Sequence, residues 1–115
     1  MPANLLIVYF SGAYVKAAII EGVNRAVHLP LIRLSEADRF ELPGWPGLEL
    51  LRLTVPRERT GADRHLYVLL EGELLVDLPE GRYLHLRPGE GAEVEGAHVL
   101  TPIVEAVALE WKPSR

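Results

Sequence analysis

The 115-residue sequence predicts a mainly all-β domain: an antiparallel barrel over residues 30–115, preceded by a short extension at residues 1–29 that is either partly helical or a hairpin. Three observations carry this expectation. Beyond residue 30, short runs rich in Leu and Val are separated by turn signals: LPGWPG at 42–47, ERTGAD at 58–63, PEG at 79–81, RPGEG at 87–91 and EGA at 95–97. Gly and Pro punctuate strands at such short spacing in sandwiches and barrels. The stretch RYLHLRP alternates, placing Leu84 and Leu86 on one face and Tyr83 and His85 on the other, as in a strand with one face on a core. HLYVLLEG is apolar on both faces, with His65, Tyr67 and Leu69 on one side and Leu66, Val68 and Leu70 on the other. That strand is expected to be covered twice, by the barrel interior and by a second sheet or subunit.

The extension opens with LLIVYFSGAYVKAAII, residues 5–20, the longest apolar stretch of the chain. It is shorter than the roughly 20 residues of a membrane helix, and Ser11, Gly12 and Lys16 interrupt it. No basic segment or small-residue cleavage site marks it as a secretion signal, so a cytoplasmic location without membrane contact is expected. Val15, Ala18, Ile19, Gly22, Val23, Ala26 and Val27 follow the spacing of one helical face, predicting a helix near residues 13–27 with Ser11 as its cap. The competing reading pairs LLIVYF with AYVKAAII as a hairpin turned at Ser11-Gly12. A dinucleotide-binding opening is excluded, because no glycine fingerprint or second helical pattern follows.

One domain of this length buries about two thirds of its unfolded surface and folds without staples. The absence of Cys removes disulfides, thiolate metal sites and Cys nucleophiles. A formal charge of -4 argues against nucleic acid, which demands concentrated Lys and Arg. Arg outnumbers Lys ten to two and Gln is absent, a heat-adapted pattern that GC-rich codons also produce. With 49% hydrophobic residues, some apolar surface is expected to lie between subunits of a homodimer.

Two stretches carry a family resemblance. HLYVLLEGELLVDL resembles the first motif of the cupin superfamily, a strand ending in a Leu-x-Gly-Glu turn. LHLRPGEGAEVEGAHV resembles the approach to the second motif, a Pro-Gly-Asp/Glu turn followed by a strand and a histidine. Sixteen residues separate Gly72 from Gly89. The resemblance implies a double-stranded β-helix, or jelly roll, over residues 30–112. Metal sites in that family use a His-x-His pair, a glutamate seven residues before the glycine, and a third histidine in the second motif. Here His65 stands in the glutamate's place, and Glu58, Arg59, Thr60 and Gly61 occupy the region of the pair. His98 matches the third histidine if the intervening loop is two residues shorter, an even shift that preserves its face.

His65, Tyr67, His98 and Arg59 are therefore the candidate ligand-binding residues. His65 and Tyr67, on one face, are also candidates for acid/base catalysis. Each has a plainer reading: a hydrogen-bonded core histidine, a core aromatic, a solvated loop arginine. His65, His98 and Glu93, with Asp63 nearby, are weak candidates for a divalent metal; no cofactor is otherwise expected. His85 and His28 read as exposed or structural, and Trp45 and Trp111 as packing residues. No nucleophile elbow surrounds Ser11, Ser35 or Ser114. Three functions stay open: a small-molecule-binding cupin without the usual metal, a metal-free isomerase or weakly metal-dependent enzyme using His65 and His98, and an interaction module with a filled barrel.

Overall fold

The computed structural model describes residues 4–10, 13–20 and 23–113, with side chains from residue 27 onward. Strands β1 (Asn4–Phe10), β2 (Ala13–Ile20) and β3 (Val23–His28) form a three-stranded antiparallel sheet in the order β1-β2-β3. The helix expected over 13–27 is thus replaced by the competing hairpin, extended by a third strand. Ala18, Gly22 and Ala26 carried three of the seven positions of the helical pattern, and such small residues suit either period. Tyr14, Val15, Ile19, Ile20, Val23 and Val27 are β-branched or aromatic, and a pleated sheet accommodates them better.

A short helix, α1 (Leu31–Leu34), and a 3-10 turn over Ser35–Ala37 follow. Neither was expected in a region read as β throughout. Their last turn is held by side chains: the Ser35 hydroxyl donates to the Ile32 carbonyl at 2.5 Å, and the Arg52 guanidinium donates to Ser35 Oγ at 2.9 Å. A cation donating at a helix C-terminus satisfies acceptors that the helix leaves bare.

The barrel strands are β4 (Arg39–Glu41), β5 (Leu48–Leu53), β6 (Arg57–Arg59), β7 (Arg64–Asp77), β8 (Tyr83–Leu86), β9 (Gly91–Glu95) and β10 (His98–Trp111). β7 and β10 run the length of the barrel as one long antiparallel ribbon, with Trp111 opposite Leu66 at one end and Val99 opposite Asp77 at the other. The ribbon folds back on itself. One half lies between β9 and β5, with β4 outside β5; the other lies between β8 and β6. Two facing sheets result.

Gly72 makes the fold-back possible. Its φ is +85°, and a Cβ there would collide with the Glu105 carbonyl oxygen on β10. The bend also changes phase: before it the odd residues His65, Tyr67 and Leu69 are buried, after it the even residues Leu74 and Val76. β10 bulges at the same level yet keeps its phase, with His98, Leu100, Ala106, Ala108 and Glu110 all buried.

Both sheets contribute to one interior of Leu51, Leu53, Tyr67, Leu69, Leu74, Val76, Leu86, Val94, Leu100 and three alanines. Fully burying a Leu contributes about 1.5–3 kcal/mol, so this interior is the main source of barrel stability. A second cluster covers the outer face of the first sheet, where Leu34, Phe40, Leu42, Leu50 and Val107 pack with Val27, Leu29, Leu31 and Leu70. The double cover expected for β7 is therefore partial: Leu70 meets this cluster, while Leu66 is 39% exposed. Leu84 shares the face of Leu86, as expected, yet is 40% exposed, and only Leu86 of β8 is buried. Trp45 and Trp111 are exposed rather than packed. Among the described residues no helix is long and apolar enough to cross a membrane.

A polar cluster at one end of the barrel

The fold-back of β10 brings its first and last turns together. His98 and Glu110, twelve positions apart and in the same phase, both reach Tyr67 of β7. Tyr67 lies directly opposite Glu110 in the ladder, and Arg59 directly opposite His98. The cluster therefore bridges the two sheets at the end remote from Gly72.

Glu110 is its centre and is fully buried. Arg59 grips its carboxylate with two nitrogens, Nε to Oε2 at 2.8 Å and Nη2 to Oε1 at 3.0 Å. The Tyr67 hydroxyl donates to Oε2 at 2.7 Å, and His65 Nδ1 lies 3.2 Å from the same oxygen. His98 Nε2 is 2.7 Å from the Tyr67 hydroxyl, and its Nδ1 is 2.7 Å from the Gly96 carbonyl. The His65 ring stacks with Tyr67 at 5.9 Å and meets His98 edge-on at 5.1 Å. Among the described residues every buried side-chain nitrogen and oxygen has a partner.

These contacts shift the titration of the groups in a consistent sense. Burial alone pushes the Glu110 carboxyl up, but hydrogen bonds from Arg59 and Tyr67 and the nearby positive charge outweigh it, holding the group at about 2. Burial, then the hydrogen bond to Glu110, pushes the Tyr67 phenol up. The hydrogen bond with Glu110 raises Arg59, outweighing its partial burial. His98 is lowered, chiefly by burial, against a smaller opposing effect of the Gly96 carbonyl.

Strand phase put His65 and Tyr67 on one face and the family resemblance pointed to His98; their meeting at a buried carboxylate was not anticipated. Arg59, a candidate ligand-binding residue, turns inward, and its partner is the protein's own Glu110. Glu93, the weak metal candidate, is corrected. In β9 the inward positions belong to Ala92 and Val94, while Glu93 is exposed and lies 3.7 Å from Arg64 on the outer surface. Asp63 is exposed and offers its backbone carbonyl to Gly96 N. His85 is on the outside, 3.0 Å from Glu73. His65 and Tyr67 do not form a direct acid/base pair; Glu110 Oε2 joins them.

Period two alone would have turned Glu110 outward, because in AVALEW it shares the phase of Ala106 and Ala108 while Val107, Leu109 and Trp111 form the more apolar face. Glu49 had a clearer signal, sharing the phase of Leu51 and Leu53 in LELLRL. It is buried opposite Glu110 in the ladder and bonded by Arg39, with Nε to Oε2 at 2.8 Å.

The family resemblance implies a divalent metal. Here both His98 nitrogens are hydrogen-bonded, and Glu110 is saturated by Arg59, Tyr67 and His65, with the Arg59 guanidinium already balancing its charge. Among the described residues no group of three or more His, Cys, Asp or Glu is arranged to hold a metal ion. These residues do not fit such an ion as they stand.

Comparison with known proteins adds the fold. No protein-family profile matches the chain, and no curated protein matches it. Among solved structures, the chain is similar to a protein of Neisseria meningitidis at 22% identity, covering 76% of this chain and 99% of that one with a TM-score of 0.58. It is similar to a protein of unknown function from Vibrio parahaemolyticus at 17% identity, covering 95% and 98% with a TM-score of 0.52. A cupin-2 domain protein of Shewanella frigidimarina is also found, at 14% identity, 57% and 69% coverage and a TM-score of 0.48. The bent β7–β10 ribbon and its facing sheets make an antiparallel β-barrel, and the neighbours with TM-scores of 0.58 and 0.52 share this fold.

Proposed function

We propose that this cupin-fold chain binds a small polar molecule at the end of the barrel formed by His65, Tyr67 and His98, with Arg59 and Glu110 supporting them. One observation carries the reading: five linked polar side chains, including an ion pair and with buried Glu49 beside them, occupy one end of an interior that is apolar beyond it. Replacing a buried ion pair by well-packed hydrophobic residues is often neutral or stabilising by about 1–4 kcal/mol, so stability alone gives no reason for it. Titratable groups gathered and shifted in this way are characteristic of binding and catalytic sites. The competing interaction-module reading draws its support from the rest of the interior, which Leu and Val fill.

A thermal-shift screen of small polar metabolites separates the two. Binding predicts an upward shift of the melting temperature that grows with ligand concentration, equivalent to about 2.7 kcal/mol at one hundred times Kd. His65→Ala should abolish the shift. A screen in which nothing stabilises the protein, or in which His65→Ala is stabilised equally, would sink the proposal. The same purified protein should be assayed for bound divalent ions before and after reconstitution. Stoichiometric metal held through His65 and His98 would replace this reading with the weakly metal-dependent one.

A further inference from the structure

The chain His98, Tyr67, Glu110 contains three contacts of 2.7 Å: His98 Nδ1 to Gly96 O, His98 Nε2 to Tyr67 Oη, and Tyr67 Oη to Glu110 Oε2. Each requires one hydrogen between its two atoms. Neutral His98 brings one, Tyr67 brings one, and Glu110 as a carboxylate brings none. The Gly96 carbonyl only accepts, so it holds the His98 hydrogen on Nδ1. One of the other two contacts must then set two lone pairs against each other. A third proton on His98 Nε2 closes the chain, with Nε2–H donating to Tyr67 and Tyr67 donating to Glu110.

The surrounding charges decide what that proton needs. Arg59 of β6 cancels Glu110 of β10, and Arg39 of β4 cancels Glu49 of β5. β9 turns Ala92 and Val94 inward and keeps Glu93 and Glu95 exposed, and β7 adds His65 and Tyr67. The third proton therefore leaves one buried positive charge without a counter-charge, and burial opposes it. A second atom is also open to a ligand. Glu110 only accepts, so a neutral His65 carries its hydrogen on Nδ1, and its Nε2 is then a lone pair with no hydrogen-bond partner among the described residues. As no buried side-chain nitrogen among the described residues lacks a partner, this one keeps contact with the outside.

We propose that the site takes a small hydroxycarboxylate, whose negative charge holds the third proton on His98 and whose hydroxyl donates to Nε2 of His65. This inference rests on the reading of the cluster as a small-molecule site. It is tested by calorimetric titration of the whole chain with glycolate, acetate and glycolamide, which offer charge and donor, charge alone, and donor alone. Glycolate is expected to bind about tenfold more tightly than either of the others, the worth of one hydrogen bond or one charge contact. Its affinity should fall about tenfold per pH unit on the alkaline side, since one proton enters with it. Nitrogen NMR should find both His98 ring nitrogens protonated in the complex. Tyr67→Phe, its fold checked by melting, removes two of the three contacts and should abolish the pH slope.

Glycolamide binding as tightly as glycolate, a bare His98 nitrogen in the complex, or an unchanged slope in Tyr67→Phe would each overturn the inference. If other small polar molecules bind but none of these three does, the hydroxycarboxylate class is wrong and the small-molecule reading stands. If nothing binds, both fall.

Discussion

Glu110 shows how one side chain organises a site. It accepts four hydrogen bonds, from Arg59 twice, Tyr67 and His65, and it has no contact with solvent. Glu110→Ala leaves the half-buried Arg59 and two rings without their acceptor, and denaturant unfolding should register a loss of about 3–5 kcal/mol. Removing both charges together, as Arg59→Met with Glu110→Leu, should cost far less or even stabilise. If the double variant is as destabilised as Glu110→Ala, the pair is a net stabiliser and the main argument for a functional cluster weakens. The pH dependence has a definite sign. Glu110 is depressed from 4.5 to about 2, so its contribution, of order a few kcal/mol, is present above pH 4.5 and drains away between there and about pH 2. His98 is lowered, so the unfolded chain takes up its proton more readily, and in the free protein stability should already begin to decline as pH falls below about 6.5. Melting curves across this range should show a shallow loss followed by a steep one. A stability maximum in acid would contradict both assignments.

At the scale of elements, Gly72 governs what the sequence could reveal. Upstream of it, period two placed His65 and Tyr67 correctly on the inner face. Arg59 was harder to read, because β6 has only three residues and sits in a stretch rich in turn signals. Glu110 was not legible, because the Val107, Leu109 and Trp111 phase of its strand is the more apolar one, and periodicity does not show which distant residues a bend brings together. The extension, left between helix and hairpin, has the opposite cause. Its small residues fit two periods at once, and strand pairing, which is non-local, decided between them. Gly72→Ala should test the bend directly. Forcing a Cβ into a left-handed conformation costs about 1–2 kcal/mol before the collision with Glu105 is added, so a fall in melting temperature of at least several degrees is expected. A Gly72→Ala protein as stable as the parent would show that the ribbon bends by other means.

For the whole molecule, the all-β barrel was legible because Gly and Pro separate its strands at short intervals, and the structure follows those signals at Gly44, Gly47, Gly89 and Gly96, all with positive φ. We expect the chain to dimerise, since Leu66, Leu84, Ile103, Val104 and Trp111 are exposed and apolar. The extension bears on this, because Val27 and Leu29 pack on the second cluster. Deleting residues 1–27 should lower the melting temperature or yield a monomer on size-exclusion chromatography; an unchanged, equally heat-stable dimer would refute its structural role. The doubled ribbon also has a kinetic consequence. Arg59 and His98 belong to one sheet, Glu110, Tyr67 and His65 to the other, so the bonds from Arg59 to Glu110 and between His98 and Tyr67 form only when the barrel closes. These cross-sheet contacts should be absent from the folding transition state. Arg59→Ala should therefore leave the refolding rate nearly unchanged and appear almost wholly as faster unfolding, which makes this polar end the latch that sets the lifetime of the native barrel.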